Sequence, residues 1–285
     1  MVLNEAFELY LELVLRSSSA RAQKTEIGRW KKHLQPLLGQ QPLEAISSQK
    51  VLRLEAELSK KNLAPQTVYH CLSLLRRVLN RAVEWELYSG PVPKIRMPKF
   101  NNKRMRFLSK SEAKQLLEEL ERRSPLWHDI ALFALNTGLR RGEILALTPA
   151  QIDLNAAQCH VLDSKTFLGR AVPLNSVAKS LVLKHMGNNP SNTLFKEQSR
   201  PVNPHARFFR QAVNTCGLNA GITDRRAKIC FHSLRHTFAS WLVQSGVRLQ
   251  VVSQLLGHTS LKMTLRYAHL APDEIHQAVD ILSLS

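Results

Sequence analysis

Two arginines, two histidines and a tyrosine between positions 140 and 267 form a set that can transfer a phosphoryl group. They occur in the strings TGLRRGE, HSLRH, LLGH and TLRYAHL, as Arg140, His232, Arg235, His258 and Tyr267. A tyrosine hydroxyl can attack phosphorus as a covalent nucleophile. Paired guanidinium groups can neutralise the phosphoryl oxygens with bidentate hydrogen bonds, a task that magnesium often performs. Imidazoles add proton donors and acceptors. The set therefore predicts phosphoryl transfer without a metal.

A sixth residue, Lys165, lies in a loop between two predicted strands and can protonate a departing 5′-oxygen. We find no cluster of Asp and Glu suited to two-metal nuclease chemistry. Each residue alone also has an ordinary explanation. An HxxR pair is more often a surface pair, His258 can serve as a charge at a helix end, and a tyrosine among apolar neighbours usually fills a core. Only their order and local contexts together favour the catalytic interpretation.

The elements that position these residues are mainly helices, predicted near 111–123, 127–137, 141–147, 176–185, 204–216, 233–244, 248–256, 260–267 and 273–283. The first begins with a capping box formed by Ser109 and Glu112. A glycine turn brings Arg140 to the start of a helix, and His232 and Arg235, three residues apart, share a helical face. Two short strands, 158–162 and 170–174, predict a small antiparallel sheet beside the helices. The fold class is therefore mainly α.

Residues 1–93 predict a separate domain of four helices. Apolar stripes at helical spacing start with Leu3 and with Ile27, the second including Trp30, Leu34 and Leu37. A third helix covers about 48–60, and a fourth follows Pro65 with residues 68, 72, 75, 79 and 83 facing inward. Its other side carries Arg76, Arg77 and Arg81, either as a solvated face or as a ridge that contacts phosphates.

Residues 94–106 read as a basic linker to the second domain, 107–285, because prolines interrupt any regular pattern. The linker has six basic residues and no acidic one, which favours an extended strap around a DNA duplex over a merely soluble connection. The linker residues expected to contact DNA are Lys94, Arg96, Lys99, Lys103 and Arg104.

The chain of 285 residues has 40 Lys and Arg against 22 Asp and Glu, a net charge of +18. Residues 1–105 carry 18 basic and 9 acidic groups and residues 106–285 carry 22 and 13, so each part contributes +9. A charge spread over the whole chain favours a polyanion such as DNA as the partner. The sequence has neither a signal peptide nor an apolar run long enough to span a bilayer, and its four cysteines lack metal-ligand spacing. We therefore expect no metal site, no membrane partner and a cytoplasmic protein.

The four strings resemble the signature boxes of the tyrosine recombinases, or phage integrases, over residues 106–275. Residues 1–95 resemble, more loosely, the core-binding domain of that family. The resemblance implies that Arg140 and Arg235 hold the scissile phosphate, that His232 assists proton transfer and that His258 donates to a non-bridging oxygen. It makes Lys165 the general acid and Tyr267 the nucleophile that forms a 3′-phosphotyrosine. It also implies that Glu143 supports the first arginine.

The same resemblance implies double-stranded recombination sites as substrate, a homotetramer, a Holliday-junction intermediate and a place for accessory DNA-bending proteins. It also implies that no cofactor is needed and that the protein is a nucleoid-associated one of a bacterium or phage. The C-terminal segment 272–284 would dock on a neighbouring protomer, with packing on its own chain as the alternative. Because the chain starts almost at the core-binding helices, no separate arm-binding domain is expected. Two other functions stay open: a type IB topoisomerase, and a DNA-binding regulator without catalysis.

Overall fold

The computed structural model describes residues 1–101, 106–161, 169–187, 192–197, 200–201 and 207–272. The chain divides into two compact units, Met1–Asn102 and Lys103–Ser285. The functional assignment of residues 1–93, 94–106 and 107–285 as core-binding domain, linker and catalytic domain stays a prediction. Among the described helices, we find none that is long and apolar enough to cross a membrane.

The first unit is helical, as the sequence predicts. Its helices are α1 (Leu3–Leu13), α2 (Ala20–Arg29), α3 (Gln35–Leu38), α4 (Ser48–Lys60) and α5 (Pro65–Glu84). A π-helical turn, Trp30–Leu34, joins α2 directly to α3, so the helical runs correspond to the four predicted helices. The core of this unit includes Trp30, whose ring stacks on that of Phe7 at 4.2 Å between centroids.

Two inward-facing positions predicted in this unit are wrong. Leu37 is 36% exposed and its neighbour Leu38 is buried, because the π turn adds a residue to one turn and rotates the positions that follow. Val83 is 38% exposed and Ala82 is buried in its place at the end of α5. The α-helix has 3.6 residues per turn, so a spacing of four along α5 drifts away from the core, and position 82 faces inward instead of position 83.

The second unit combines helices with two small sheets. Its helices are α6 (Lys110–Arg123), α7 (Pro125–Thr137), α8 (Arg141–Ala146), α9 (Ser176–His185), α10 (Arg207–Thr215), α11 (Phe231–Gln244) and α12 (Leu249–Leu256). The first sheet is antiparallel in the order β1 (Ile152–Asp153), β2 (Gln158–Val161) and β3 (Arg170–Pro173). The second is a pair, β4 (Lys196–Glu197) and β5 (Arg200–Pro201), which the sequence analysis missed. The mainly α class with a small antiparallel sheet is confirmed.

Local sequence explains where the helices around the site begin and end. The predicted capping box is present at α6, where the Ser109 hydroxyl accepts from the Glu112 amide and the Glu112 carboxylate accepts from the Ser109 amide. Helix α7 starts at Pro125 and is followed by its C-cap, Gly138, whose φ of 64° is the left-handed conformation that favours glycine. These caps fix the turn that leads to Arg140.

The predicted helix over 260–267 is wrong. The structure has two 3₁₀ turns there, Leu261–Met263 and Leu265–Leu270. The inward residues are Thr264 and Tyr267, three positions apart, which fits three residues per turn. Tyr267 packs in a small apolar cluster with side chains of α11 and α12, including Val243, Val252 and Leu256. The predicted helix over 273–283 lies outside the described residues.

Candidate active site

A cleft of about 460 Å³ in the second unit brings together five of the six predicted catalytic residues. It is lined by Arg140, His232, Arg235, His258 and Tyr267. It is also lined by residues that the sequence analysis did not select: His236, Lys262, Met263, Leu265 and Arg266. Lys165, the sixth predicted residue, lies outside the described residues.

Arg140 is held at the start of α8 by Glu143. The carboxylate of Glu143 accepts from the Arg140 amide and from Arg140 Nη1, both at 2.8 Å. It also accepts from Arg170 at 2.9 and 3.2 Å, a contact that sequence analysis missed. Burial alone would raise the pKa of Glu143, but hydrogen bonds from Arg170 and Arg140 lower it below its usual value. Glu143 therefore stays ionised and fixes both guanidinium groups.

Arg235 is the most enclosed charge of the cleft, with 3% of its surface exposed. Its guanidinium donates to the carbonyl of Gly138 at 2.8 Å and to that of Leu256 at 2.5 Å. These bonds connect α11 to the ends of α7 and α12. Burial, followed by repulsion from Arg140, lowers the pKa of Arg235 to about 10. The group is still protonated at neutral pH, so the cleft has a fixed positive charge at its base.

His258 follows Gly257, whose φ of 61° ends α12 in the left-handed conformation. The Nδ1 atom of His258 is 2.8 Å from the Thr264 hydroxyl. Burial lowers the pKa of His258 to about 4, and repulsion from Arg235 and Arg140 adds to the effect. The imidazole is therefore neutral at physiological pH. The two arginines that add to this shift would attract an anion into the cleft.

Tyr267 is 6% exposed and its hydroxyl lies 2.5 Å from Nδ1 of His236. Burial raises the pKa of Tyr267, while the charges of Arg266 and Arg235 oppose that shift. His236 was missed although the string HSLRH contains it. Its spacing of four residues from His232 was the available signal, because it places both imidazoles on one face of α11. Their rings meet edge to face at 4.7 Å.

The residues expected to contact DNA are only partly described. Arg76, Lys94, Arg96 and Lys99 are exposed in the first unit. Arg77 pairs with Glu26 at 2.7 Å, and Arg81 pairs with Glu84 at 2.5 Å. Lys103 and Arg104 lie outside the described residues. Contact of this set with DNA stays a prediction.

Within the residues that the structure describes, no group of three or more His, Cys, Asp or Glu side chains could hold a metal ion. The cleft instead combines arginines, imidazoles and a phenol. The fold is mainly helical, and these groups place a tyrosine in a cleft whose arginines can attract an anion. Fold and cleft together define a class of protein.

Comparison with known proteins identifies that class. The pattern of the Phage integrase family matches residues 106–274, more than half of the chain. The chain belongs to this family, that of the tyrosine recombinases, which confirms the resemblance that the four strings indicated. The integrase of Salmonella phage P22 is 38% identical over 216 residues, covering 72% of this chain and 54% of that protein. The tyrosine recombinase XerD of Shewanella oneidensis is 29% identical, covering 95% of this chain and 93% of its own length.

Several matched relatives are much longer than this chain. The chain spans 54% of the P22 integrase and 55% of the shufflon-specific DNA recombinase of Escherichia coli. Solved structures agree in fold at low sequence identity. The Tn1549 transposon integrase in complex with transposon right-end DNA has a TM-score of 0.75 at 17% identity, with 100% of both chains covered. A lambda integrase tetramer bound to a Holliday junction has a TM-score of 0.73 at 19% identity, covering 91% of this chain and 78% of that one.

Proposed function

We propose that this protein is a site-specific DNA recombinase, or integrase, that cleaves and rejoins strands through a 3′-phosphotyrosine at Tyr267. The observation that carries the proposal is the convergence of Arg140, Arg235, His258 and Tyr267 on one cleft. Family membership supports it, since the relatives that the chain matches are named integrases and tyrosine recombinases. No high-energy cofactor is needed, because the phosphotyrosine keeps the energy of the broken phosphodiester.

In the proposed reaction the scissile phosphate lies between the guanidinium groups of Arg140 and Arg235. Both are held by other residues, Arg140 by Glu143 and Arg235 by two backbone carbonyls. Donors fixed before the reaction can stabilise the developing negative charge without reorganising. Neutral His258 would donate a further hydrogen bond to a non-bridging oxygen. Lys165 would protonate the 5′-oxygen as it leaves.

The proposed substrate is double-stranded DNA, bound by the basic surface of both units. The proposed assembly is a homotetramer on two recombination sites, with segment 272–284 docking on a neighbouring protomer and with accessory DNA-bending proteins as further partners. The solved lambda integrase tetramer on a Holliday junction supports this arrangement, because its fold resembles that of the present chain. The protein is expected to act in the cytoplasm, on DNA of the nucleoid.

The test is to trap the covalent intermediate. The protein is incubated with labelled duplexes that carry the junction sequences of its host element, each nicked so that the released 5′-end diffuses away. We expect a covalent adduct whose tryptic peptide contains Tyr267. The Tyr267→Phe variant should bind the same duplex with unchanged affinity and form no adduct. An adduct that persists in Tyr267→Phe would assign the nucleophile to another residue and contradict the proposal.

The same duplexes separate a recombinase from a topoisomerase. A recombinase should join strands from two different duplexes, each carrying a recombination site, and should yield branched intermediates on a native gel. A type IB topoisomerase would relax supercoiled plasmid and would not exchange strands between duplexes. Adduct formation and relaxation without exchange would favour the topoisomerase function.

A further inference from the structure

The hydrogen bond between Tyr267 and His236 joins two groups that are 31 residues apart in the chain. Both are 6% exposed, and the hydroxyl oxygen of Tyr267 lies 2.5 Å from Nδ1 of His236. With the hydroxyl as donor, Nδ1 accepts, and the proton of the neutral imidazole is on Nε2. The phenol is thus already bonded to a group that can take its proton.

Such a group is needed because burial raises the pKa of Tyr267. A neutral phenol is a poor nucleophile, so its proton must leave as the oxygen attacks phosphorus. Arg235 cannot take it, since it is protonated at neutral pH and donates to two carbonyls. The Nδ1 atom of His258 contacts the Thr264 hydroxyl, six residues along the chain, and not the phenol. His236 is the imidazole in direct contact with the hydroxyl.

We propose that His236 is the general base of the reaction and accepts the phenolic proton at Nδ1. This inference rests on the proposed function of Tyr267. The Tyr267 oxygen forms a bond to phosphorus, the bond from phosphorus to the 5′-oxygen breaks, and the phenolic proton moves to His236. The 5′-oxygen takes its proton from a separate acid, for which Lys165 is the candidate. In ligation the same steps run backwards, and the His236 imidazolium returns its proton to the tyrosine.

The imidazole of His232 packs against that of His236. The ring of His232, one turn earlier on α11, meets the ring of His236 edge to face with 4.7 Å between centroids and 84° between planes. His232 is exposed, whereas His236 is buried. An exposed imidazole therefore packs against the imidazole that contacts the buried phenol. The contact of His236 with the nucleophile is the one that carries the inference.

The experiment measures single-turnover cleavage of the nicked duplex across pH for the wild type, His236→Ala and His236→Asn. The amide oxygen of asparagine can accept the same hydrogen bond but cannot hold a proton near neutral pH. The His236→Asn variant can therefore still position the phenol but cannot act as a general base. We expect both variants to cleave about 100-fold more slowly or worse, the usual range for general acid–base catalysis. We also expect their rates to keep rising with pH as hydroxide replaces the base, and free imidazole to restore part of the activity of His236→Ala.

A second substrate separates the base from the acid. A duplex with sulfur in place of the scissile 5′-oxygen has a leaving group that needs no proton. The deficit of His236→Asn should persist on this substrate, whereas a Lys165→Ala variant should recover. Recovery of His236→Asn on the sulfur substrate would assign the residue to leaving-group protonation and overturn the inference. Wild-type cleavage by His236→Asn on the ordinary duplex would show that His236 only positions the phenol, and would also overturn it.

The outcome is distinguishable from failure of the proposed function. If the wild type forms an adduct at Tyr267 and His236→Asn forms it equally fast, the recombinase function stands and the inference fails. If the wild type forms no adduct at Tyr267, the proposed function itself fails. Thermal unfolding and duplex affinity are measured for every variant. A folded, DNA-binding His236→Asn with a cleavage deficit is the result that supports the inference.

Discussion

Arg140 and Arg235 differ in how firmly each guanidinium group is held. Arg235 is buried and bonded to the backbone at the ends of two helices. The Arg140 side chain is 42% exposed and bonded to one carboxylate, that of Glu143. A phosphate that enters the cleft would therefore meet the fixed guanidinium group of Arg235 and the more adjustable guanidinium group of Arg140. Glu143 limits that adjustment, because it also holds Arg170.

At the scale of single residues, the two arginines predict that cleavage does not depend on a divalent ion. Both guanidinium groups line one cleft, and such groups can neutralise phosphoryl oxygens as a magnesium ion would. We expect the rate of adduct formation in excess EDTA to equal the rate in magnesium. An Arg235→Lys variant is the matched comparison, because it keeps the charge and loses the bidentate geometry. It should lose activity under both conditions. Loss of wild-type cleavage in EDTA would contradict the assignment of the arginines.

His258 gives a prediction about stability and pH. Its pKa is about 4 in the folded protein, below the usual value of 6.5, so the unfolded chain binds more protons between these values. The contribution of His258 to stability is therefore complete above about pH 6.5 and is progressively lost as pH falls towards 4. Allowing for its partial exposure, we expect the free energy of unfolding to lose about 1 kcal/mol from this group between pH 7.5 and 5.

The measurement is urea unfolding of the wild type and of His258→Asn at both pH values. The other histidines titrate in both proteins, so the difference between the two isolates His258. The stability gap between wild type and variant should change in favour of the variant at pH 5. A gap that is the same at both values would show that His258 titrates normally in the folded state.

At the scale of secondary structure, the sequence predicted the elements that surround the site better than the contacts between them. The strings TGLRRGE and LLGH contain the glycines that end α7 and α12, so the approach to Arg140 and His258 could be predicted. The bond from Arg170 to Glu143 and the bond from Tyr267 to His236 could not. Each joins residues about 30 positions apart, and no local pattern determines such a pairing. The tyrosine segment was misassigned because a spacing of three or four fits both an α-helix and a 3₁₀ turn.

Gly257 provides a prediction at this scale. It has a positive φ of 61°, and an added Cβ would lie 2.5 Å from Cδ of Arg170, whose guanidinium is bonded to Glu143. Gly217 has a similar φ of 64° and no atom within 4 Å of an added Cβ. We expect Gly217→Ala to cost about 1 kcal/mol from backbone strain alone, and Gly257→Ala about 2 to 3 kcal/mol.

Thermal and urea unfolding measure both variants, and single-turnover cleavage follows in the same preparations. Gly257→Ala should also slow cleavage, because the added methyl group displaces Arg170 and shifts the backbone next to His258. Gly217→Ala should cleave at the wild-type rate per folded molecule. Equal stability losses in the two variants would show that Arg170 moves aside without cost.

At the scale of the whole molecule, the net charge of +18 predicts a strong dependence of DNA affinity on salt. Each neutralised phosphate contributes about −0.9 to the slope of log affinity against log salt. We expect Arg76→Gln to reduce the magnitude of that slope by about 1, because Arg76 is an exposed member of the expected contact set. Lys60→Gln is the control, since it makes the same charge change on α4 at a residue that bonds Glu57 and lies outside that set. A flat salt response in the wild type would indicate a ligand other than DNA.

Tyr267 is both the proposed nucleophile and a packed member of the cluster that attaches its segment to α11 and α12. Its replacement by a smaller nucleophile such as serine would open a void among Val243, Val252 and Leu256 and loosen the segment that carries it. Packing alone therefore favours an aromatic side chain of similar volume at this position, independently of what the chemistry demands. For the same reason, phenylalanine is the replacement to choose when an inert version of this protein is wanted as a reagent for locating its proposed DNA sites.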